Sequence, residues 1–193
     1  MTGDTVAGGP VTGDTVTGGP AAEGSAAGGS AGVAATELAR QVHALLQARG
    51  QTVAVAESLT GGLVAAALTD IPGASSSFRG GIVSYATDLK AALLGVDAAM
   101  LARYGAVYGP VATAMADGVR TRLRASYGLA TTGVAGPEPQ DGQPVGTVHI
   151  AVSTDGDTVL RTVALSGDRA QVRKLTVEHA LGLLLGRLGE ETD

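Results

Sequence analysis

The sequence predicts an α/β fold in which a mixed, mostly parallel sheet is covered by helices on both faces. Short runs rich in Val, Ile and Ala, such as TVAVAE at 52–57 and GLATTG at 128–133, read as buried strands. They alternate with helical patterns, as strand–helix–strand units do. Near the end of the chain, Asp155-Gly156 turns GTVHIAVST directly into TVLRTVAL, a hairpin that makes the sheet mixed.

The first 32 residues stand apart. MTGDTVAGGP is followed by the near-duplicate VTGDTVTGGP and then by AAEGSAAGGSAG. Gly, Thr, Ser and Pro without an apolar period bury too little surface to offset the entropy of ordering. Residues 1–32 are therefore expected to form a disordered tail, and 33–193 a single domain. In TELARQVHALLQARG, Leu38, Val42, Leu45 and Leu46 recur at helical spacing, with Thr36 as N-cap and Gly50 as stop. TVAVAE is the first strand, and GGLVAAALTD a helix that ends before IPG. FRGGIVSYA is the second strand and DLKAALLG a short helix. AAMLARYG and PVATAMADGVRTRLRAS are two more helices, and GLATTG is the third strand. An irregular Gly/Pro stretch, VAGPEPQDGQPVG, leads to the hairpin, and a last helix runs from about Arg169 to Leu188.

Composition narrows the function. There is no cysteine, which removes disulfides, thiolate metal ligands and a thiol nucleophile together. This fits a reducing, cytoplasmic setting. His43, His149 and His179 show no zinc-ligand spacing, and no cofactor is expected. The net charge is −5, aromatics are 3 %, and no basic run occurs, so nucleic acid is not the expected partner. No apolar stretch reaches the length of a membrane span, and the N-terminus has no secretory-signal pattern.

Three strand ends carry chemistry-bearing residues. The first is Glu57-Ser58-Leu59-Thr60-Gly61-Gly62. Open α/β sheets bind ligands beyond the carboxyl ends of their strands. The glycines allow close backbone approach there, and helix N-terminal amides can hold an anion or an oxyanion. The structural alternative is that Ser58 or Thr60 merely caps the helix. The second is Ser84-Tyr85-Ala86-Thr87-Asp88-Leu89-Lys90. With Thr87 as N-cap, Lys90 takes the third helical position, where the macrodipole disfavours a cation and lowers its pKa, as a lysine base requires. Lysine is also scarce, occurring only as Lys90 and Lys174. A solvated surface lysine is the alternative. The third is Thr131-Thr132-Gly133-Val134-Ala135-Gly136-Pro137, a strand ending in glycines before a long loop, with no phosphate-loop pattern. An ordinary turn would look the same. Jointly they offer a serine hydroxyl, a lysine base and a tyrosine proton relay, a set suited to amide hydrolysis through an acyl-enzyme.

These blocks, AESLTGGLVAAALTDIPGASSSFRGGIVSYATDLKAALLGV, YGAV, TTGVAGP and PVGTVHIAV, resemble the CinA C-terminal domain family over about residues 37–188. The resemblance implies a three-layer α/β/α sandwich. It also implies nicotinamide-nucleotide amidase activity, converting nicotinamide mononucleotide to nicotinate mononucleotide and ammonia in pyridine-nucleotide salvage. It places the family's serine nucleophile on Ser58, with Lys90 and Tyr85 in support. Thr60, Gly61 and Gly62 would then offer donors to the nucleotide substrate, and Thr132, Gly133, Ala135 and Gly136 would form the facing wall. It implies no metal and a homo-oligomer, dimer or higher. The chain departs from the family pattern at Leu59, at Tyr108-Gly109-Pro110 and at 138–143, all expected in the pocket wall. Arg79 and Arg103 are candidates for the substrate phosphate by charge alone. The competing readings are a member that binds a nucleotide without turning it over, and an interaction protein whose tail recruits a partner.

Overall fold

Five strands make one sheet in a computed structural model that describes residues 27–190, with side chains from Val33. They are β1 (Val53–Glu57), β2 (Phe78–Val83), β3 (Tyr127–Gly133), β4 (Thr147–Ser153) and β5 (Thr158–Ala164), in the order β2-β1-β3-β4-β5. β1 pairs parallel with both β2 and β3, whereas β4 runs antiparallel to β3 and to β5. The sheet is thus mixed, with a parallel half and an antiparallel edge. The helices are α1 (Ala27–Ala48), α2 (Leu63–Thr69), α3 (Thr87–Leu94), α4 (Ala98–Tyr104), α5 (Gly109–Leu123) and α6 (Arg169–Glu190).

The period-2 alternation of the strands sorts the residues into two cores. Val53, Val55, Leu129 and Ile150 face α1, α2 and α6. Ala54, Ala56, Ala130 and Ala151 face α5, flanked by α3 and α4. At its centre the second face is alanine and glycine, so α5 lies close against the strands. A Cβ on Gly128 would run into the backbone carbonyl of Ala116 in α5. Helices on both faces complete three layers.

Two local expectations are corrected. Thr36 does not cap α1; the helix starts at Ala27. Alanine is the best helix former, and Ala35 packs against the core, so Ala34 and Ala35 carry the helix back past Thr36. Residues 27–32 of the expected tail therefore belong to α1, and residues 1–26 lie outside the described residues. Nor does Thr87 cap α3. The cap position is Ala86, in extended backbone and without a side-chain bond, and Asp88 supplies the favourable first-turn charge. Lys90 is thus the fourth helical residue.

The strand order positions the site. From β1 the chain goes through α2 to β2 on one side, and then crosses to β3 on the other. The connections diverge at the carboxyl ends of β1 and β3, which opens a crevice there.

Candidate active site

Ser58 follows the last residue of β1. Its N–H donates to the Thr131 carbonyl of β3 at 3.0 Å, so the ladder holds the serine backbone one step beyond the strand. The chain then reverses tightly: the Gly61 N–H returns to the Ser58 carbonyl at 3.1 Å, with Gly61 and Gly62 at φ of 59° and 98°. Side chains other than glycine rarely adopt that region, which is why two glycines follow the serine. Glu57, fully buried, secures the corner. Its carboxylate accepts from the N–H groups of Gly62, Val64 and Ala65 at 2.9, 3.1 and 2.8 Å. Arg173 reaches in from α6 and donates to the carbonyls of Leu59 and Thr60 at 3.0 and 2.7 Å.

These bonds correct one expectation. Thr60, Gly61 and Gly62 do not line the cleft, and the Thr60 hydroxyl and the Gly61 and Gly62 amides are committed within the protein. The Thr60 hydroxyl bonds the Thr131 hydroxyl at 2.8 Å, and the α2 amides belong to Glu57. Leu59, beside the serine, does line the cleft, and its N–H has no partner among the described residues.

Lys90 is wholly inaccessible to solvent. Its Nζ donates to the Ser84 carbonyl at 2.6 Å and to the Ser58 hydroxyl at 3.1 Å. Ser84 is itself held by the Glu57 carbonyl at 2.9 Å. Burial lowers the Lys90 pKa to about 8, against the opposing pull of the Asp141 and Asp88 carboxylates. Of the dipole and the desolvation expected to disfavour the ammonium, burial is the main cause of the lowering.

The cleft beside Ser58 encloses about 90 Å³ and opens to solvent. Thr132, Gly133, Ala135 and Gly136 form one wall, as expected, with Ala106 and Val107 next to them. The Thr132 hydroxyl donates to the Ala106 carbonyl at 2.8 Å. Asp141 fastens the long loop to the same segment, accepting from the N–H groups of Ala106 and Val107 at 2.6 and 3.0 Å. It sits with Gly142 in a tight turn, both at positive φ, closed by paired bonds between Gln140 and Gln143. Asp141 is missing from the residues singled out by sequence, although its Asp-Gly pair carries the same turn signal as Asp155-Gly156.

Tyr85 lines the rim and is more than half exposed. Its hydroxyl accepts from Arg169 at 2.7 Å, and Arg169 also donates to the Gly136 carbonyl at 2.8 Å. Neither Ser58 nor Lys90 bonds Tyr85 directly. Of the two arginines singled out by charge, Arg79 binds the Leu123 carbonyl and Arg103 lies over the Tyr104 ring, both away from the cleft. Arg169 occupies the position expected of them. It starts α6, far along the chain, and no local pattern marks it. Leu59, Glu138 and Gln140 do line the cleft, whereas Tyr108 and Pro110 line a neighbouring groove with Tyr104.

Residues 35–188 match the family described as the CinA C-terminal domain. The chain belongs to that family. A CinA-like protein from Frankia casuarinae is 58 % identical over 153 residues, covering 79 % of this chain and 35 % of its own length. One from Gloeobacter violaceus is 49 % identical over 156 residues, covering 79 % and 37 %. The CinA domain thus spans little more than a third of these relatives. Among solved structures, a CinA superfamily protein from Klebsiella pneumoniae superposes with a TM-score of 0.78 at 33 % identity, covering 81 % of this chain and 98 % of that one. A competence/damage inducible protein from Agrobacterium tumefaciens gives 0.78 at 38 % identity, covering 81 % and 96 %. Among the described residues of this CinA domain, no group of His, Asp and Glu is arranged to hold a metal, and no helix is long and apolar enough to cross a membrane.

Proposed function

We infer that this CinA domain is a nicotinamide-nucleotide amidase that works through an acyl-enzyme on Ser58. The observation that carries the reading is the buried Lys90 Nζ held 3.1 Å from the Ser58 hydroxyl, with its pKa lowered to about 8. A serine hydroxyl needs a base, and a lysine that loses its proton near neutrality serves as one. The neutral Nζ takes the hydroxyl proton as Oγ bonds to the amide carbon. The tetrahedral oxyanion is received by the Leu59 N–H, as the residue after a nucleophile commonly does, and by the N–H groups of Ala135 and Gly136 in the cleft wall, none of which has a partner among the described residues. The C–N bond then breaks, and the leaving nitrogen collects the proton from Lys90 and departs as ammonia. Water repeats the sequence on the ester: Lys90 takes its proton, hydroxide oxygen bonds to the carbonyl carbon, and Ser58 leaves with the proton returned. Tyr85 accepts from Arg169, so its own O–H is available to donate toward the leaving group. Arg169, cationic at the rim, is the group suited to the substrate phosphate.

The test is ammonia release over a panel of nucleotide and nucleoside amides, with Ser58→Ala alongside. Nicotinamide mononucleotide should be the best substrate, and the Ala variant should be inactive yet folded, with unchanged melting temperature. Near-normal release from Ser58→Ala would reduce Ser58 to part of the turn and end the acyl-enzyme reading.

A further inference from the structure

Most of the polar groups around the cleft are already held by other protein groups. Ser58 is held by Lys90, Thr132 by Ala106, Asp141 by two amides, and Tyr85 by Arg169. Glu138 differs. It lines the cleft from the loop after Gly136, it is exposed, and it has no hydrogen-bond or ion-pair partner among the described residues. A free carboxylate would be a poor choice in a cleft for a purely anionic ligand, because it would repel it. It suits a ligand that brings a positive charge as well as a negative one.

We propose that Glu138 is a specificity-determining residue that selects a cationic ring, an N-substituted pyridinium carboxamide, over an uncharged amide of the same shape. The proposal rests on the amidase reading above and names the half of the substrate that reading leaves unassigned. The cleft carries one charge of each sign at its mouth: the Arg169 guanidinium for an anionic group and the Glu138 carboxylate for the ring cation. Lys90 lies behind Ser58 and is engaged with Ser58 and Ser84, so it does not compete for that role. Asp141 is nearby on the same loop, but its carboxylate is engaged by two amides and does not line the cleft. The charge that Glu138 recognises is the one that activates the amide. The pyridinium nitrogen withdraws electrons from the carboxamide carbon and eases attack by Ser58 Oγ. An enzyme that favours the cation in binding therefore favours the more reactive form. The effect is modest, because exposed ion pairs contribute about 0.2–1 kcal/mol, which corresponds to roughly 1.5- to 5-fold in affinity.

The experiment measures equilibrium binding of 1-methylnicotinamide, a cation, and of nicotinamide, its neutral counterpart, to the wild-type chain and to Glu138→Gln and Glu138→Lys. It also measures kcat and KM for nicotinamide mononucleotide. The wild type should bind the cation more tightly. Glu138→Gln should abolish that preference and raise KM about 1.5- to 5-fold with kcat unchanged, and Glu138→Lys should reverse the preference. Adding salt should weaken the wild-type preference and leave the Gln variant unaffected. Binding of both ligands that ignores position 138, or no binding of the cation at all, overturns the proposal. If the wild type prefers the cation through Glu138 but releases no ammonia, the amidase reading fails and the recognition stands. If ammonia release is normal and KM does not move, the reverse holds.

Discussion

Lys90 carries both a cost and a function. An ammonium with no solvent access is destabilising unless it is well bonded, and here it has one carbonyl and one hydroxyl. Lys90→Met should therefore be inactive but more stable at pH 7, by about 1–2 kcal/mol, or roughly 2–8 °C in Tm. The sign of the pH dependence follows from the lowered pKa. The native lysine loses its proton near pH 8, whereas an unfolded one does so near 10.4. Between those values the unfolded chain binds more protons, so wild-type stability rises with pH and the advantage of the Met variant shrinks. Scanning calorimetry at pH 7 and pH 10 checks this. The same titration governs the rate. Only the neutral amine can act as base, so kcat/KM for ammonia release should rise with pH through about 8. Lys90→Arg should lose about 10²–10⁴-fold, like Lys90→Ala, because guanidinium keeps its proton. Recovery of most of the rate by Arg would make position 90 a fixed positive charge and require another base.

Single elements hold the nucleophile as firmly as its neighbours do. The turn from β1 into α2 depends on Glu57, which binds the N-cap amide and two first-turn amides of a seven-residue helix. Glu57→Gln leaves one neutral acceptor and points an NH2 at amides that need acceptors. It should lower stability by about 1–3 kcal/mol and reduce kcat more than it raises KM, because Ser58 shifts while the cleft wall stays. Urea unfolding and steady-state rates measure the two effects separately. α3, which carries Lys90, is seated on α5 through Gly118, where an added Cβ would collide with the Leu94 carbonyl. Gly118→Ala should push the two helices apart, at a cost of roughly 1–3 kcal/mol, and lower the rate through the Lys90–Ser58 distance. A Gly118→Ala variant with wild-type Tm and wild-type kcat would show that this close approach is not needed.

Across the whole molecule, the site sits where connections diverge on either side of β1, and five separate segments meet there: the β1 turn, α3 with the loop before it, the segment between α4 and α5, the loop after β3 and the start of α6. Their convergence needs both cores, the valine and leucine face under α1, α2 and α6 and the alanine face under α5. α1 supplies Ala39, Val42 and Leu46 to the first core, and so does Ala35 nearer its start. A chain beginning at residue 27 should therefore keep its Tm and its turnover, whereas one beginning at residue 37 should lose several degrees of Tm through lost packing of the first turns. Equal melting of the two would show that the early turns of α1 add nothing.

Sequence alone determined the order of strands and helices, the hairpin at Asp155-Gly156 and the strand end that carries Ser58, because these depend on local periodicity and turn chemistry. It also marked Lys90 and the 132–136 wall, through motifs that keep their spacing. Only the tertiary structure decided which groups are free to act. Gly61 and Gly62 read as donors in a string of letters, but their amides close a turn and meet a buried carboxylate. Arg169 and Arg173 lie more than a hundred residues from Ser58 and reach its surroundings by the packing of α6. The direction of the Lys90 pKa was legible from its place in the first turn of a helix, but its extent is set mainly by burial, a property of everything packed around the side chain and of no segment by itself.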